Sequence, residues 1–274
     1  MTDTGHVHPR PSTPPAPARA ALALTALLTL GACTPSAPAG PATATPTPSP
    51  TPAATGDAAL RVAVTAGDVA LEVTLPGAAI DDPPVHVSPG PDASTATVTI
   101  DTAVLDEDAA GFAGPPGIAL TSRGTLEPHA DGSVTVRDDG TPVGGLSAPR
   151  GARLVAVDDT HLEVRGTAST ADRDEVATTL GTAAVAGTDW GDREGGRSLA
   201  VAPTDWARDA GQAGVDLVWA ELVAADPEVD TPTMRDQLEC HAIGAPDKAT
   251  WNLEPWRPDV GLVATMAARC NPTS

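Results

Sequence analysis

The chain has 274 residues, 36 acidic against 16 basic side chains, and a formal net charge of −20. Its length accommodates one large or two modest domains. The acid excess excludes nucleic acid as a partner, because phosphate binding needs clustered cations. Aromatic residues make up 2% of the chain, with no Tyr, one Phe and five Trp, so the core must come mainly from Ala, Val, Leu and Ile.

The N-terminus reads as an export signal, residues 1–32. Arg10 and Arg19 supply a positive leading region, and residues 20–30 form an Ala- and Leu-rich run. That run is too short to span a bilayer, which takes about 20 apolar residues. It ends in Leu30-Gly31-Ala32-Cys33, a pattern similar to a bacterial lipobox, in which the Cys is acylated and becomes the mature N-terminus. The alternative is an ordinary secretory signal with a chance Cys. Two or three acyl chains on Cys33 would anchor the protein stably to the outer face of the cell membrane. Residues 33–56 then form a stalk: from residue 34 onward they are only Pro, Ala, Thr, Ser and Gly, seven of them Pro. Nothing there can be buried to offset ordering entropy.

Residues 57–183 read as a β-rich region. The segments 60–64 and 69–75 alternate around a Gly67-Asp68 turn and predict a hairpin. Further strands are expected at 96–100, 133–137, 154–157 and 162–165, punctuated by Asp131-Gly132, Asp139-Gly140 and Asp158-Asp159. This spacing predicts an antiparallel sheet or small sandwich, with Phe112 as its one aromatic residue. The Asp106-to-Gly111 segment starts like a calcium loop but has Gly117 where a bidentate Glu belongs, so it is read as a loop.

Composition changes at residue 184. All five Trp (Trp190, Trp206, Trp219, Trp251, Trp256) and two of the three Cys lie beyond it. Val215, Val218, Trp219, Leu222 and Val223 follow helical spacing, with an edge strand as the alternative. Thr231-Pro232 opens a second helix that Gly244 ends, and Asp259 is expected to cap a third carrying Val260, Val263 and Ala267. Between them, Pro255 and Pro258 hold residues 251–258 extended. The fold class expected is α+β: a β-rich antiparallel region, then a small disulfide-stapled α+β domain.

Several strings in residues 184–274 carry a family resemblance: Gly196-Arg197-Ser198-Leu199, Pro203-Thr204-Asp205-Trp206, Glu239-Cys240-His241, and above all Trp251-Asn252-Leu253-Glu254-Pro255-Trp256-Arg257-Pro258. This part resembles the domain of unknown function 2599, a family of secreted proteins and lipoproteins of high-GC Gram-positive bacteria. The resemblance implies an extracytoplasmic setting and brings no activity with it.

With Cys33 lipidated, Cys240 and Cys270 are expected to pair in an exported protein. The alternative, Cys240 as a nucleophile beside His241, fails because a disulfide sulfur cannot attack. Two readings of the distinctive residues stay open. In one, Lys248, Trp251, Asn252, Glu254, Trp256 and Arg257 form a contact surface for a cell-wall glycan or an envelope protein. In the other, the Trp rings fill a core that has little else aromatic. An envelope hydrolase would use Glu254 or His241 as acid/base with Arg257 as electrostatic partner. Against it stands the structural reading, in which Arg257 and Lys248 pair with carboxylates and His241 completes a helix face. A purely structural domain is the remaining alternative. The His residues have no zinc spacing, and no P-loop, dinucleotide fingerprint or nucleophile elbow occurs, so no metal or cofactor is expected.

Overall fold

The computed structural model describes residues 59–77, 83–105, 114–193 and 195–273. The export signal, Cys33, the stalk, Phe112 and the Asp106-to-Gly111 loop lie outside the described residues. The rest is α+β, as expected, and belongs to one compact unit.

Residues 59–181 build a sandwich of two antiparallel sheets. The first contains β1 (Ala59–Ala66), β2 (Val69–Pro76), β5 (Gly117–Leu120), β9 (Ala152–Asp158) and β10 (His161–Gly166), in the order β1-β2-β5-β10-β9. The second contains β3 (Val85–Pro89), β4 (Thr95–Asp101), β6 (Thr125–Pro128), β7 (Val134–Asp138), β8 (Thr141–Leu146) and β11 (Glu175–Gly181), in the order β3-β4-β11-β8-β7-β6. The period-two pattern sets the inward faces. Val69, Leu71, Val73 and Leu75 of β2 are buried with Ala96, Val98 and Ile100 of β4 in one aliphatic core. The expected hairpin forms, with Val62 opposite Val73 in β1–β2. Strands β3, β5, β6, β8 and β11 were not expected; each is short, rich in Gly or polar residues, or both, and is held by its neighbours rather than by its own pattern.

The C-terminal part has its own sheet and core. β12 (Val185–Arg193), β13 (Gly196–Pro203) and β14 (Trp251–Leu253) form a three-stranded antiparallel sheet. Around it lie α1 (Asp205–Asp209), α2 (Gly211–Ala225), α3 (Pro232–Gly244) and α4 (Leu262–Ala267). α2 carries the helical pattern read from Val215 to Leu222. α3 starts where Thr231 accepts a hydrogen bond from Met234 N, with Pro at its first position. The third predicted helix is shorter than expected: Asp259 accepts from Gly261 N, and helix begins only at Leu262. Leu199, Val201, Trp251 and Leu253 of the sheet meet Val218, Leu222, Met234 and Leu238 of the helices in a second core. Among the described residues no helix is long and apolar enough to cross a membrane.

The two parts meet on the outer face of the second sandwich sheet. Strands β7 and β8 are buried on both sides there: Val134, Val136 and Leu146 face the sandwich core, while Thr135 and Gly145 face outward beneath α2. Gly145 and Gly181 are cross-strand partners. A Cβ on Gly181 would lie 2.2 Å from the Trp206 ring, and one on Gly145 would lie 2.8 Å from Ala213 Cβ. The glycine pair therefore makes a flat bed for the helices. Trp206 is locked onto it by Nε1 donating to Thr179 O at 3.0 Å.

Candidate functional site

Residues 251–258 are drawn inward by alternation and by α3. In β14, Trp251 and Leu253 point into the core and are 1% and 0% exposed. Asn252 and Glu254 fall on the opposite face. β13 covers one edge of β14, pairing Leu199 with Leu253 and Val201 with Trp251. The other edge is covered by two side chains one helical turn apart on α3. Gln237 donates through Nε2 to Glu254 O and accepts from Glu254 N through Oε1, both at 3.0 Å. His241 Nε2 donates to Asn252 O at 3.0 Å. A side-chain amide and an imidazole thus stand in for a further strand and close an edge that would otherwise offer unpaired backbone. Burial pushes the His241 imidazole below its ordinary pKa, and Lys248 adds to that, while the bond to Asn252 O works against it.

Glu254 and Arg257 are brought together. Arg257 Nε donates to Glu254 Oε2, with side-chain exposures of 3% and 1%. Arg257 Nη1 also donates to Pro272 O at 3.3 Å, and its guanidinium lies 4.5 Å from the Trp256 ring centroid. The expected bond between Cys240 and Cys270 is present and joins α3 to the chain after α4. Ion pair and disulfide together hold the last residues against the sheet. Trp256 rests on Gly196 and remains 44% exposed; Lys248 is exposed and Asn252 half-buried. Of the six residues expected to form a contact surface, Trp251, Glu254 and Arg257 are therefore interior, whereas Trp256 and Lys248 reach solvent.

Three further Trp rings have similar partners. Arg197 stacks on Trp190 at 4.0 Å, Arg235 on Trp219 at 5.4 Å and Arg208 on Trp251 at 5.5 Å. A planar guanidinium can hydrogen-bond at its edge while its face covers a ring. Sparse aromatic content and Arg-dominated cations therefore serve one construction.

A residue that sequence reasoning missed, Asp216, organises the junction between the two parts. It lies on the buried face of α2 between Val215 and Leu217. Its Oδ2 accepts from Arg137 Nη2 at 3.1 Å and Thr135 Oγ1 at 3.3 Å, with His129 Nε2 at 3.7 Å. Its Oδ1 accepts from Arg235 Nη2 at 3.0 Å and Gln212 Nε2 at 2.9 Å. The available signal was an acidic residue within an apolar helical stripe. Nearby, Asp131 Oδ2 accepts from Gln212 N at 2.7 Å, and Oδ1 accepts from Ser133 N and Oγ. Burial would raise the Asp131 pKa, but these hydrogen bonds outweigh it and hold the carboxyl below its ordinary value.

Beside this network a cleft of about 500 Å3 opens between the β6–β7 loop, the α1–α2 junction and α3. His129, Asp131, Gln212 and Glu239 contribute its polar wall; Val215 and Ile243 are among its apolar residues. A larger opening of about 1130 Å3 at one end of the sandwich mixes Arg153, Arg165 and Arg173 with Asp101, Asp174 and Glu175, so its charge is not of one sign. Among the described residues no cluster of three or more His, Cys, Asp or Glu is placed to hold a metal ion.

Residues 185–273 match the family described as "Protein of unknown function (DUF2599)", and the match begins where β12 begins. Uncharacterised proteins of Mycobacterium tuberculosis and Mycobacterium bovis are each 43% identical over 95 residues, which is 32% of this chain and 64% of theirs. An uncharacterised protein of Mycobacterium leprae is 38% identical over 61 residues, 21% of this chain and 50% of its own. The chain thus spans just under two thirds of the first two relatives' length. No solved structure matches it.

Proposed function

We propose, for a chain whose C-terminal part matches a family of unknown function, a role as a membrane-tethered extracytoplasmic lipoprotein. Its folded part binds a component of the cell envelope rather than performing chemistry. The observation that carries this reading is the Cys240–Cys270 disulfide. Such bonds persist in oxidising compartments; the leader, residues 1–32, is read as the export route and Cys33 as the anchor. For the binding role, support comes from how the reactive groups are used. Glu254 is tied to Arg257, and His241 is tied to the β14 backbone, so the acid/base candidates act as structural fasteners. Of the paired rings at 251 and 256, Trp256 is the one with surface to offer a wall glycan or an envelope protein.

The test is expression in a high-GC Gram-positive host with labelled palmitate. Wild type should carry label and sediment with membranes, and Cys33→Ser should lose label and pass into the medium. Label retained in Cys33→Ser, or unlabelled wild type in the cytosol, would overturn the tether.

A further inference from the structure

The cleft between the sandwich and the C-terminal helices has an uneven hydrogen-bonding inventory. Its Gln212 and Arg208 side chains already donate within the protein. Gln212 gives Nε2 to Asp216 and its backbone N to Asp131. Arg208, also in the lining, directs its guanidinium to the carbonyls of Pro246, Lys248 and Ala249. The acceptors are not all used. Glu239 takes Arg235 Nε on Oε1 at 2.7 Å and keeps Oε2, and Gln212 keeps Oε1. Thr135 Oγ1 donates to Asp216 and shares a hydrogen bond of 2.7 Å with His129 Nε2. Asp131 and Glu239 lie in the lining with Arg208, and Arg235, outside the lining, pairs with one oxygen of Glu239. Ile243 lies in the last turn of α3, where helix carbonyls favour a cation. The apolar wall is aliphatic, including Val215 and Ile243, and no Trp ring lines the cleft to stack on a sugar. At about 500 Å3 the space falls within the usual size of a small-ligand pocket, about 300–1,000 Å3.

We propose that this cleft binds a primary ammonium on an aliphatic stem, the stem lying along Val215 and Ile243 and the ammonium donating to Glu239 and Gln212. The occupant is a lysine side chain of an envelope peptide, whose stem is long enough to follow the aliphatic wall; an ethanolamine headgroup has a shorter stem and brings a phosphate toward Asp131 and Glu239. The assignment deepens the binding-module reading and rests on it.

The experiment uses the full chain carrying Cys33→Ser, with NMR of the Val and Ile methyl groups. It is titrated with Nα-acetyl-lysine amide, with Nα-acetyl-norleucine amide as the stem without its ammonium, and with phosphoethanolamine. The lysine derivative should shift the Val215 and Ile243 methyls saturably, and norleucine amide should bind at least about tenfold more weakly, since charge-assisted hydrogen bonds are the stronger kind. Glu239→Gln should weaken binding about tenfold. Ile243→Trp, at a position 63% exposed and so tolerant of bulk, should block the cleft. Tighter binding of phosphoethanolamine than of the lysine derivative would overturn the peptide assignment. Equal binding of norleucine amide, or no methyl shift with any amine, overturns the site. A failed titration alongside correct palmitoylation removes the cleft assignment alone, whereas failed palmitoylation leaves a positive titration standing.

Discussion

Replacing Arg257 by Met removes the cation from a pair whose side chains are 3% and 1% exposed. Glu254 would then remain interior with its main partner gone. Breaking a pair this deeply buried costs about 3–5 kcal/mol, because the remaining charge keeps its desolvation penalty without compensation. The backbone should stay in place, since Gln237 holds the main chain of Glu254 and not its side chain. Removing both charges, as Glu254→Leu with Arg257→Met, should therefore cost much less than the sum of the single variants, and the double-mutant cycle should show several kcal/mol of coupling. The assay is guanidinium unfolding followed by Trp fluorescence with the disulfide kept oxidised. All five Trp lie from Trp190 onward, so the signal reports the C-terminal part and, through Trp206, its seam with the sandwich. A cost below about 1 kcal/mol for Arg257→Met, or additive single variants, would show that the pair is not desolvated as described.

His241 has its folded pKa held below the ordinary 6.5 by burial, so the unfolded chain takes up a proton before the folded one does. Its contribution is complete above about pH 6.5 and declines as pH falls through that value, with a slope of at most about 1.4 kcal/mol per pH unit. Comparing urea midpoints at neutral and mildly acidic pH should show this component in wild type and not in His241→Gln. Equal pH dependence in both would count against it. Gly181→Ala drives a Cβ into the Trp206 ring and should cost about 1–3 kcal/mol by overpacking, whereas Gly187→Ala, with open space around it, should be nearly neutral. Thermal unfolding distinguishes the two, and equal behaviour would contradict the flat-bed account. Breaking the disulfide with Cys240→Ser and Cys270→Ser opens a link across 30 positions and should lower stability by about 3.6 kcal/mol on the chain-entropy model. A denaturant midpoint unchanged from the oxidised wild type would refute it.

Some of this architecture could be read from local signals. The β1–β2 hairpin follows from alternation around Gly67-Asp68. α3 follows from Thr231-Pro232, and the disulfide from two Cys left over in a chain read as exported. Those features depend on nearest neighbours, on backbone preference or on cysteine count, all of which the residues carry with them. Strands such as β8, with Pro142, Gly144 and Gly145, carry no strand signature and exist because adjacent strands supply their hydrogen bonds.

The candidate site divides in the same way. The amino-acid sequence by itself marked residues 251–258 as distinctive and bounded a Trp-rich C-terminal part, because composition and proline restrict backbone without reference to the rest of the molecule. Only the tertiary structure decided that Trp251, Glu254 and Arg257 turn inward while Trp256 stays at the surface, since that depends on which edge of β14 Gln237 and His241 come to cover. Only it could place Asp216 against Arg137 and Arg235. Those residues are 79 and 19 positions from it in the chain; packing two cores across a pair of glycines brings in Arg137, and α3 lying against α2 brings in Arg235.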